Sequence, residues 1–115
     1  MKNSKDLRSR IAYAAGVSGI LRVDSGAVNA LVNLKESLLP SGVTDIEGNF
    51  EIGDVVAVIG PDSKEIARGK VRYTSEDSNK IKGKKTSDIF DILGYKFTDE
   101  IIHRDDMVVT CQAGD

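Results

Sequence analysis

The sequence lacks several residue types on which common active sites depend. Its 115 residues include one cysteine, Cys111, and one histidine, His103. A single cysteine cannot form an internal disulfide, and one histidine with no cysteine at metal spacing does not supply the ligands of a zinc site. Ser37 and Ser75 lie outside any G-x-S-x-G nucleophile motif. These absences argue against zinc and serine-hydrolase chemistry and favour a small binding or regulatory domain.

Aromatic residues and long hydrophobic runs are also scarce. There is no tryptophan and aromatics make up 5% of the chain, so aliphatic side chains have to fill the core. No run approaches the roughly 20 apolar residues of a membrane span, and the first residues contain no apolar stretch of signal-peptide length. The sequence therefore predicts a cytoplasmic protein with no membrane partner. Its net charge of -2 argues against a protein that is basic overall.

The apolar pattern predicts a mainly β fold. Between residues 45 and 52, apolar residues or glycine alternate with acids or asparagine, which is typical of a strand with one buried face. Gly48-Asn49 and Gly53-Asp54 are predicted to break the β-rich runs, with Gly48 and Gly53 as corners. Residues 55–59 are apolar throughout, as in a strand inside a small closed barrel. Residues 64–73 are predicted to form its hairpin partner, which places Arg68, Lys70 and Arg72 on one face.

Short helices are predicted between the strands. Asp24, Thr74 and residues 86–88 are candidate helix N-caps, because their side-chain oxygens can accept hydrogen bonds from free amides of the first turn. Gly94 is the predicted end of the last helix. Residues 100–109 are predicted to close the fold as a strand, a polar turn and a second short strand.

An ordered series of segments resembles a known family. The segments are Gly19–Ala27 (GILRVDSGA), 35–43 (KESLLPSGV), 47–50 (EGNF), 53–56 (GDVV), 66–69 (IARG), 73–75 (YTS), 81–85 (IKGKK), 93–95 (LGY) and 102–105 (IHRD). Together they resemble the C-terminal PUA domain of bacterial glutamate 5-kinase (gamma-glutamyl kinase). The resemblance implies a PUA-like pseudo-barrel, mainly β with short α-helices. It also implies a linker at residues 1–18, the PUA domain at 19–110 and a C-terminal tail at 111–115.

The resemblance implies an accessory or regulatory role in an enzyme of proline biosynthesis. In that family a separate kinase domain binds ATP and magnesium and transfers phosphate to L-glutamate, and that domain has no counterpart in this sequence. The chain alone is therefore expected to be non-catalytic, with no catalytic, cofactor-binding or metal-binding residues of its own. The expected partner is the kinase catalytic domain in cis, in a homo-oligomeric parent. A third possible function is a protein-interaction module that docks on that domain or sets its oligomeric state, which an exposed apolar patch would favour.

A stand-alone RNA-binding PUA module is the alternative function. Residues 64–85 contain eight basic and three acidic side chains. PUA domains of pseudouridine synthases and archaeosine transglycosylases bind RNA, so the resemblance supports a search for phosphate contacts in this region. The candidates are Arg68, Lys70, Arg72, Lys82, Lys84 and Lys85. The slightly negative overall charge favours the simpler interpretation, in which long cationic side chains solvate an exposed face.

Two further motifs each have a functional and a structural interpretation. Gly26 is a candidate nucleic-acid contact, because glycine at a helix start lets a phosphate approach backbone amides. A plain helix cap is favoured there, since the Asp24 carboxylate would repel a phosphate. His103 beside Asp105 and Asp106 could serve acid–base or magnesium chemistry. A turn held by the aspartate side chains, with His103 packed at its edge, is the favoured interpretation.

Overall fold

Five strands form one sheet in the computed structural model, which describes residues 16–111. In chain order they are β1 (Gly19–Val23), β2 (Val43–Gly48), β3 (Val55–Ile59), β4 (Glu65–Lys70) and β5 (Met107–Val109). Their order in the sheet is β2-β1-β3-β4-β5, with β1 and β3 parallel and the other neighbours antiparallel. The mainly β class is confirmed. The closed barrel predicted from residues 55–59 is wrong, because β2 and β5 lie at opposite edges of an open sheet.

The central strand β3 is buried on both faces. It has the parallel strand β1 on one side and the antiparallel strand β4 on the other, so its backbone groups are paired in both directions. Residues 56–59 are all buried. This arrangement confirms the buried strand predicted from five consecutive apolar residues, since an apolar run without alternation is stable only where both faces are covered.

Short helical segments connect the strands. Helix α1 spans Ser25–Val28 and continues as a π-helical turn over Asn29–Asn33, α2 spans Ser75–Ile81 and α3 spans Ile89–Leu93. Three-residue 3₁₀ turns occupy Pro40–Gly42, Thr86–Asp88 and Arg104–Asp106. None of the helices within residues 16–111 has the length and hydrophobicity of a membrane span.

Local capping sets the ends of these helices. The Asp24 carboxylate accepts a hydrogen bond from the Ala27 amide at 2.8 Å, and the Thr74 hydroxyl accepts one from the Asp77 amide at 3.2 Å. Gly94 ends α3 with φ at 80°, a left-handed conformation that favours glycine. These contacts confirm the caps predicted at Asp24 and Thr74 and the predicted end at Gly94. The cap predicted for residues 86–88 is replaced by a 3₁₀ turn that leads into α3.

Strand β2 is shorter than the alternating pattern predicts. It ends at Gly48, whose φ of 87° turns the chain out of the sheet. Phe50 is buried, as its place in the pattern predicts, but Ile52 is 53% exposed. The Glu51 amide donates instead to the Asp54 carboxylate at 2.9 Å, within a loop. The break predicted at Gly48-Asn49 is confirmed, and the alternation that continues to Ile52 does not form a strand.

The hairpin arm predicted for residues 64–73 is also shorter in the structure. Strand β4 ends at Lys70, and Val71 continues the backbone pairing with the residues before β3, because its amide donates to the Asp54 carbonyl at 3.0 Å and its carbonyl accepts from the Gly53 amide at 2.8 Å. The Arg72 amide donates to the Ile101 carbonyl at 2.8 Å. Around Ile101, the predicted strand is reduced to one isolated bridge between Leu38 and Ile102. The regular strand thus ends at Lys70, and backbone pairing with the β3 side continues only to Val71 among the residues of the predicted arm.

Aliphatic side chains fill most of the core, as the scarcity of aromatic residues predicts. Phe50 and Tyr73 are the two aromatic members among the largest fully buried side chains, and the others are isoleucine, leucine and valine. Residues 1–15 and 112–115 lie outside the described residues, and with them most of the linker predicted at 1–18 and of the tail predicted at 111–115.

Candidate nucleic-acid interface

The structure divides the predicted basic residues between two locations. Arg68 and Lys70 lie on β4 and Arg72 follows it, and we call these three side chains the strand cations. In the sheet, Arg68 is paired with Ala57 of β3 and with Val108 of β5. The other candidates, Lys82, Lys84 and Lys85, follow the end of α2 in a segment that we call the lysine loop, residues 82–85.

Two of the three strand cations have carboxylate partners within the chain. The Arg68 Nε atom donates to Glu65 at 3.0 Å, and the Arg72 Nη2 atom donates to Asp106 at 2.9 Å. Glu65 also accepts from the Thr110 hydroxyl at 2.8 Å. A phosphate at this face would have to compete with carboxylates that are already in place, so these contacts favour the ion-paired, solvated interpretation of the strand cations.

The lysine loop is less neutralised. Lys82 pairs with Asp45 of β2 at 3.5 Å. Lys84 and Lys85 are exposed, and neither forms an ion pair with a residue in the range 16–111. The Gly83 amide donates to the Pro40 carbonyl at 2.8 Å, which fixes the loop beside the turn Pro40–Gly42. Two cationic side chains are thus presented together from an anchored loop.

A cavity of about 230 Å³ borders that turn. Its lining includes Gly26 at the start of α1 and Ser41 and Gly42 of the turn. The Asp24 amide donates to the Gly42 carbonyl at 3.0 Å, which joins the start of α1 to the turn. The turn is therefore held by α1 on one side and by the lysine loop on the other, so Gly26 and the lysine loop flank one short segment.

No sequence motif indicated that the turn Pro40–Gly42 belongs to the candidate site. Its proline, serine and glycine are ordinary turn residues, which mark a turn and no binding site. Ser37 and Ser41 also line the cavity, and no local motif marks either of them. Their placement depends on hydrogen bonds to residues far away in the sequence, so a local pattern could not have found them.

The cavity is lined by acidic residues, in contrast to the basic lysine loop. The carboxyl groups of Asp24 and Glu36 belong to residues that line it. Asp24 caps α1, as predicted, and Gly26 as a nucleic-acid contact stays a prediction. A β-carbon added at Gly26 would lie 3.5 Å from the Asp24 carboxylate, an ordinary contact. The cavity can accept neutral hydrogen-bond donors, whereas a phosphate is expected to remain on the lysine side.

The His103 motif forms a turn, as predicted, but the histidine holds it. The His103 Nδ1 atom accepts from the Asp105 amide at 3.0 Å, at the start of the turn Arg104–Asp106. Asp106 is engaged with Arg72. The prediction that aspartate side chains hold this turn is therefore wrong, because the capping group is the imidazole of His103. Within residues 16–111 no three side chains of histidine, cysteine, aspartate or glutamate are grouped so that they could hold a metal ion.

The open mixed sheet, the cavity beside α1 and the adjoining lysine loop define a small β-rich domain with a surface suited to binding. A family profile of the PUA domain matches residues 19–93. The chain belongs to the PUA domain family.

Glutamate 5-kinases contain a closely similar segment. The chain is 57% identical over 99 residues to "Glutamate 5-kinase" of Caldanaerobacter subterraneus subsp. tengcongensis, and the alignment covers 86% of the chain and 27% of that protein. The chain spans about a quarter of the length of the curated relatives it matches. The resemblance to the PUA domain of glutamate 5-kinase, carried by the ordered segments, is confirmed.

Solved structures share the fold at low sequence identity. A PUA domain from Aeropyrum pernix K1, crystallised as a tartrate complex, is 22% identical with a TM-score of 0.56 over 85% of this chain and 45% of that one. A chain of an H/ACA RNP bound to a substrate RNA is 18% identical with a TM-score of 0.52 over 74% of this chain and 22% of that one. These similarities confirm the PUA-like fold.

Proposed function

We propose that this chain is an accessory domain of a glutamate 5-kinase and has no catalytic activity of its own. The observation that supports the proposal is 57% identity to such an enzyme over 86% of the chain. The parent enzyme would phosphorylate L-glutamate with ATP and magnesium in cytoplasmic proline biosynthesis, on a catalytic domain joined to this one in cis. We place the accessory domain at residues 19–110, between a linker at 1–18 and a tail at 111–115. A homo-oligomeric parent remains a prediction.

The purified chain is expected to form no glutamyl phosphate from ATP, magnesium and L-glutamate, because the groups for phosphoryl transfer would belong to the other domain. Trapping of the acyl phosphate with hydroxylamine measures this. A chimera supplies the positive test: the Caldanaerobacter enzyme, with its homologous segment replaced by this chain, is expected to keep its activity. Glutamyl phosphate formed by the chain alone, or a folded chimera without activity, would contradict the proposal.

RNA binding is a second candidate function, favoured by the position of the lysine loop beside the cavity. Lys84 and Lys85 could contact two phosphates, while a base or ribose enters the cavity. The carboxylates of Asp24 and Glu36 could accept hydrogen bonds from an exocyclic amine or a 2′-hydroxyl. The H/ACA RNP structure with a related fold contains a substrate RNA.

Exchange of both loop lysines for glutamate (Lys84→Glu with Lys85→Glu) is expected to weaken binding of a structured RNA by about tenfold or more at low salt, because two phosphate contacts are lost. The slope of log affinity against log salt concentration should decrease in magnitude by about two, because about two fewer counterions are released on binding. Titrations at two salt concentrations measure both effects.

The matched control is the pair Lys35→Glu with Lys64→Glu, which makes the same change in charge at exposed positions outside the loop and outside the strand cations. Equal weakening by the two pairs would indicate a general charge effect and would contradict a site at the lysine loop. Absence of RNA binding by the unaltered chain at low salt would remove this candidate function.

A further inference from the structure

Large apolar side chains are exposed together in one short segment. Phe90 is 60% exposed, Ile92 37%, Tyr95 39% and Phe97 57%. Single exposed apolar side chains are ordinary in soluble proteins, but a concentration of them is typical of an interaction surface. We call these four side chains the apolar patch.

One buried hydroxyl fixes the backbone of the patch at Phe97. The Tyr73 hydroxyl accepts hydrogen bonds from the Phe97 amide at 3.0 Å and the Thr98 amide at 2.9 Å, and it donates to the Thr98 carbonyl. A tyrosine hydroxyl has one donor and two acceptor positions, and all are used. The segment is therefore attached to the core, and its apolar side chains are exposed from an ordered backbone.

Tyr95 of the patch is itself held by two contacts within the chain. Its ring lies 6.1 Å from the ring of Tyr73, and its hydroxyl donates to the Asp77 carboxylate of α2. That hydrogen bond, with some contribution from burial, raises the pKa of Tyr95 to about 12. The Gly94 amide donates to the Phe90 carbonyl at 2.8 Å. A preorganised surface of this kind loses little conformational entropy when a partner binds.

The segment that carries the patch is acidic. Residues 86–100 contain four carboxylates and one cation, Lys96, which pairs with Asp99 at 2.7 Å. An excess of negative charge repels nucleic acid phosphates and also disfavours a second copy of the same surface. A complementary partner would be a protein surface with an apolar centre and a basic rim.

We propose that the apolar patch docks this domain onto the catalytic domain of its parent kinase, through a surface of that complementary chemistry. This inference rests on the proposed function. The chain aligns with 27% of the length of the Caldanaerobacter glutamate 5-kinase. The remaining part of such an enzyme would provide a large protein surface in cis. Covalent linkage gives a high effective concentration, so a small apolar interface is sufficient for docking.

Thiol labelling of single cysteines tests the docking. Cys111→Ser removes the native thiol, and Phe97→Cys places a probe in the patch. Val108→Cys is the matched control, because Val108 is 68% exposed on β5, at the sheet edge opposite β2. Labelling at position 97 is expected to be about tenfold slower in the full-length chimera than in the isolated chain, because an interface centre excludes solvent. Labelling at position 108 should proceed at the same rate in both.

Phe90→Cys is a second patch probe if Phe97→Cys does not fold. Equal labelling rates at the patch in the chimera and in the isolated chain would overturn the docking proposal, even where the chimera phosphorylates glutamate. A comparable slowing at position 108 would also overturn it, because the protection would then be general. Protection that depends on the concentration of the isolated chain would point to self-association and count against it. Loss of kinase activity in a folded chimera contradicts the proposed function separately.

Discussion

Replacement of Gly19 by alanine is expected to lower the free energy of unfolding by about 3 kcal/mol, the upper range for forcing extra volume into a packed site. A β-carbon at Gly19 would lie 2.4 Å from the Glu47 carbonyl oxygen of β2 and 2.8 Å from the ring of Phe50. The first contact is with backbone and the second is with a fully buried ring, so neither neighbour can move at low cost. Such a loss is a large part of the roughly 5–15 kcal/mol that stabilises a typical domain.

Strand β2 cannot move away to relieve the contact of a β-carbon at Gly19. Gly48 is the partner of Gly19 in the register of β1 and β2, and it has φ at 87°. A β-carbon at Gly48 would itself lie 2.7 Å from the Ser18 carbonyl oxygen. The two strands therefore approach so closely that glycine is required on both sides, and separation of the strands would break the pairing of β2 with the sheet.

Urea denaturation followed by circular dichroism measures the effect, with Gly26→Ala as the matched control. The nearest atom to a β-carbon at Gly26 lies 3.5 Å away, and the position is in α1. That substitution is expected to leave stability unchanged or to raise it by about 0.5–1 kcal/mol, because alanine favours a helix over glycine. Equal free energies of unfolding for the two variants would show that the close approach at Gly19 does not affect stability.

Local patterns predicted the features that depend on neighbouring residues. The caps at Asp24 and Thr74 follow from the preference of their side chains for free amides a few residues ahead. The buried strand at 55–59 follows from an unbroken apolar run. The ordered family segments gave the PUA-like fold, which the pattern alone could not specify.

Features that depend on distant contacts were not predictable from local patterns. The open sheet follows from strand order, and a buried apolar run is compatible with both open and closed sheets. Arg72 finds its partner Asp106 34 residues away. The lysine loop meets the cavity region only through the hydrogen bond from Gly83 to Pro40. Period-two alternation correctly placed Phe50 in the core, but the same alternation places Ile52 on the buried face, whereas Ile52 is exposed.

Tyr73 was correctly predicted to be buried, but its hydrogen-bonding role was not predicted. Its place on the apolar face of the predicted hairpin arm agrees with its complete burial. The chain nevertheless leaves β4 three residues earlier, at Lys70, and the tyrosine hydroxyl serves the segment at Phe97 and Thr98 instead. The ring contributes to the core, and the hydroxyl connects the core to the apolar patch.

Tyr73→Phe is expected to lower the free energy of unfolding by about 2 kcal/mol, because removal of one hydroxyl leaves polar backbone groups without their partner. The Phe97 amide, the Thr98 amide and the Thr98 carbonyl all lose a hydrogen bond. These groups are partly buried, so water can replace only some of what is lost. Urea denaturation measures the stability, and amide hydrogen exchange at Phe97 and Thr98 reports the local loosening.

Tyr95→Phe is the matched control, because it removes one hydroxyl from an exposed tyrosine. Its hydrogen bond to Asp77 lies at the surface, and its loss is expected to cost about 0.5 kcal/mol. If the two variants are equally stable and exchange at Phe97 and Thr98 is unchanged in Tyr73→Phe, the buried hydroxyl does not hold this segment. If docking needs an ordered patch, Tyr73→Phe in the chimera should also restore part of the labelling rate of a cysteine at position 90. The same hydroxyl would then contribute both to folding and to the attachment of this domain to its partner.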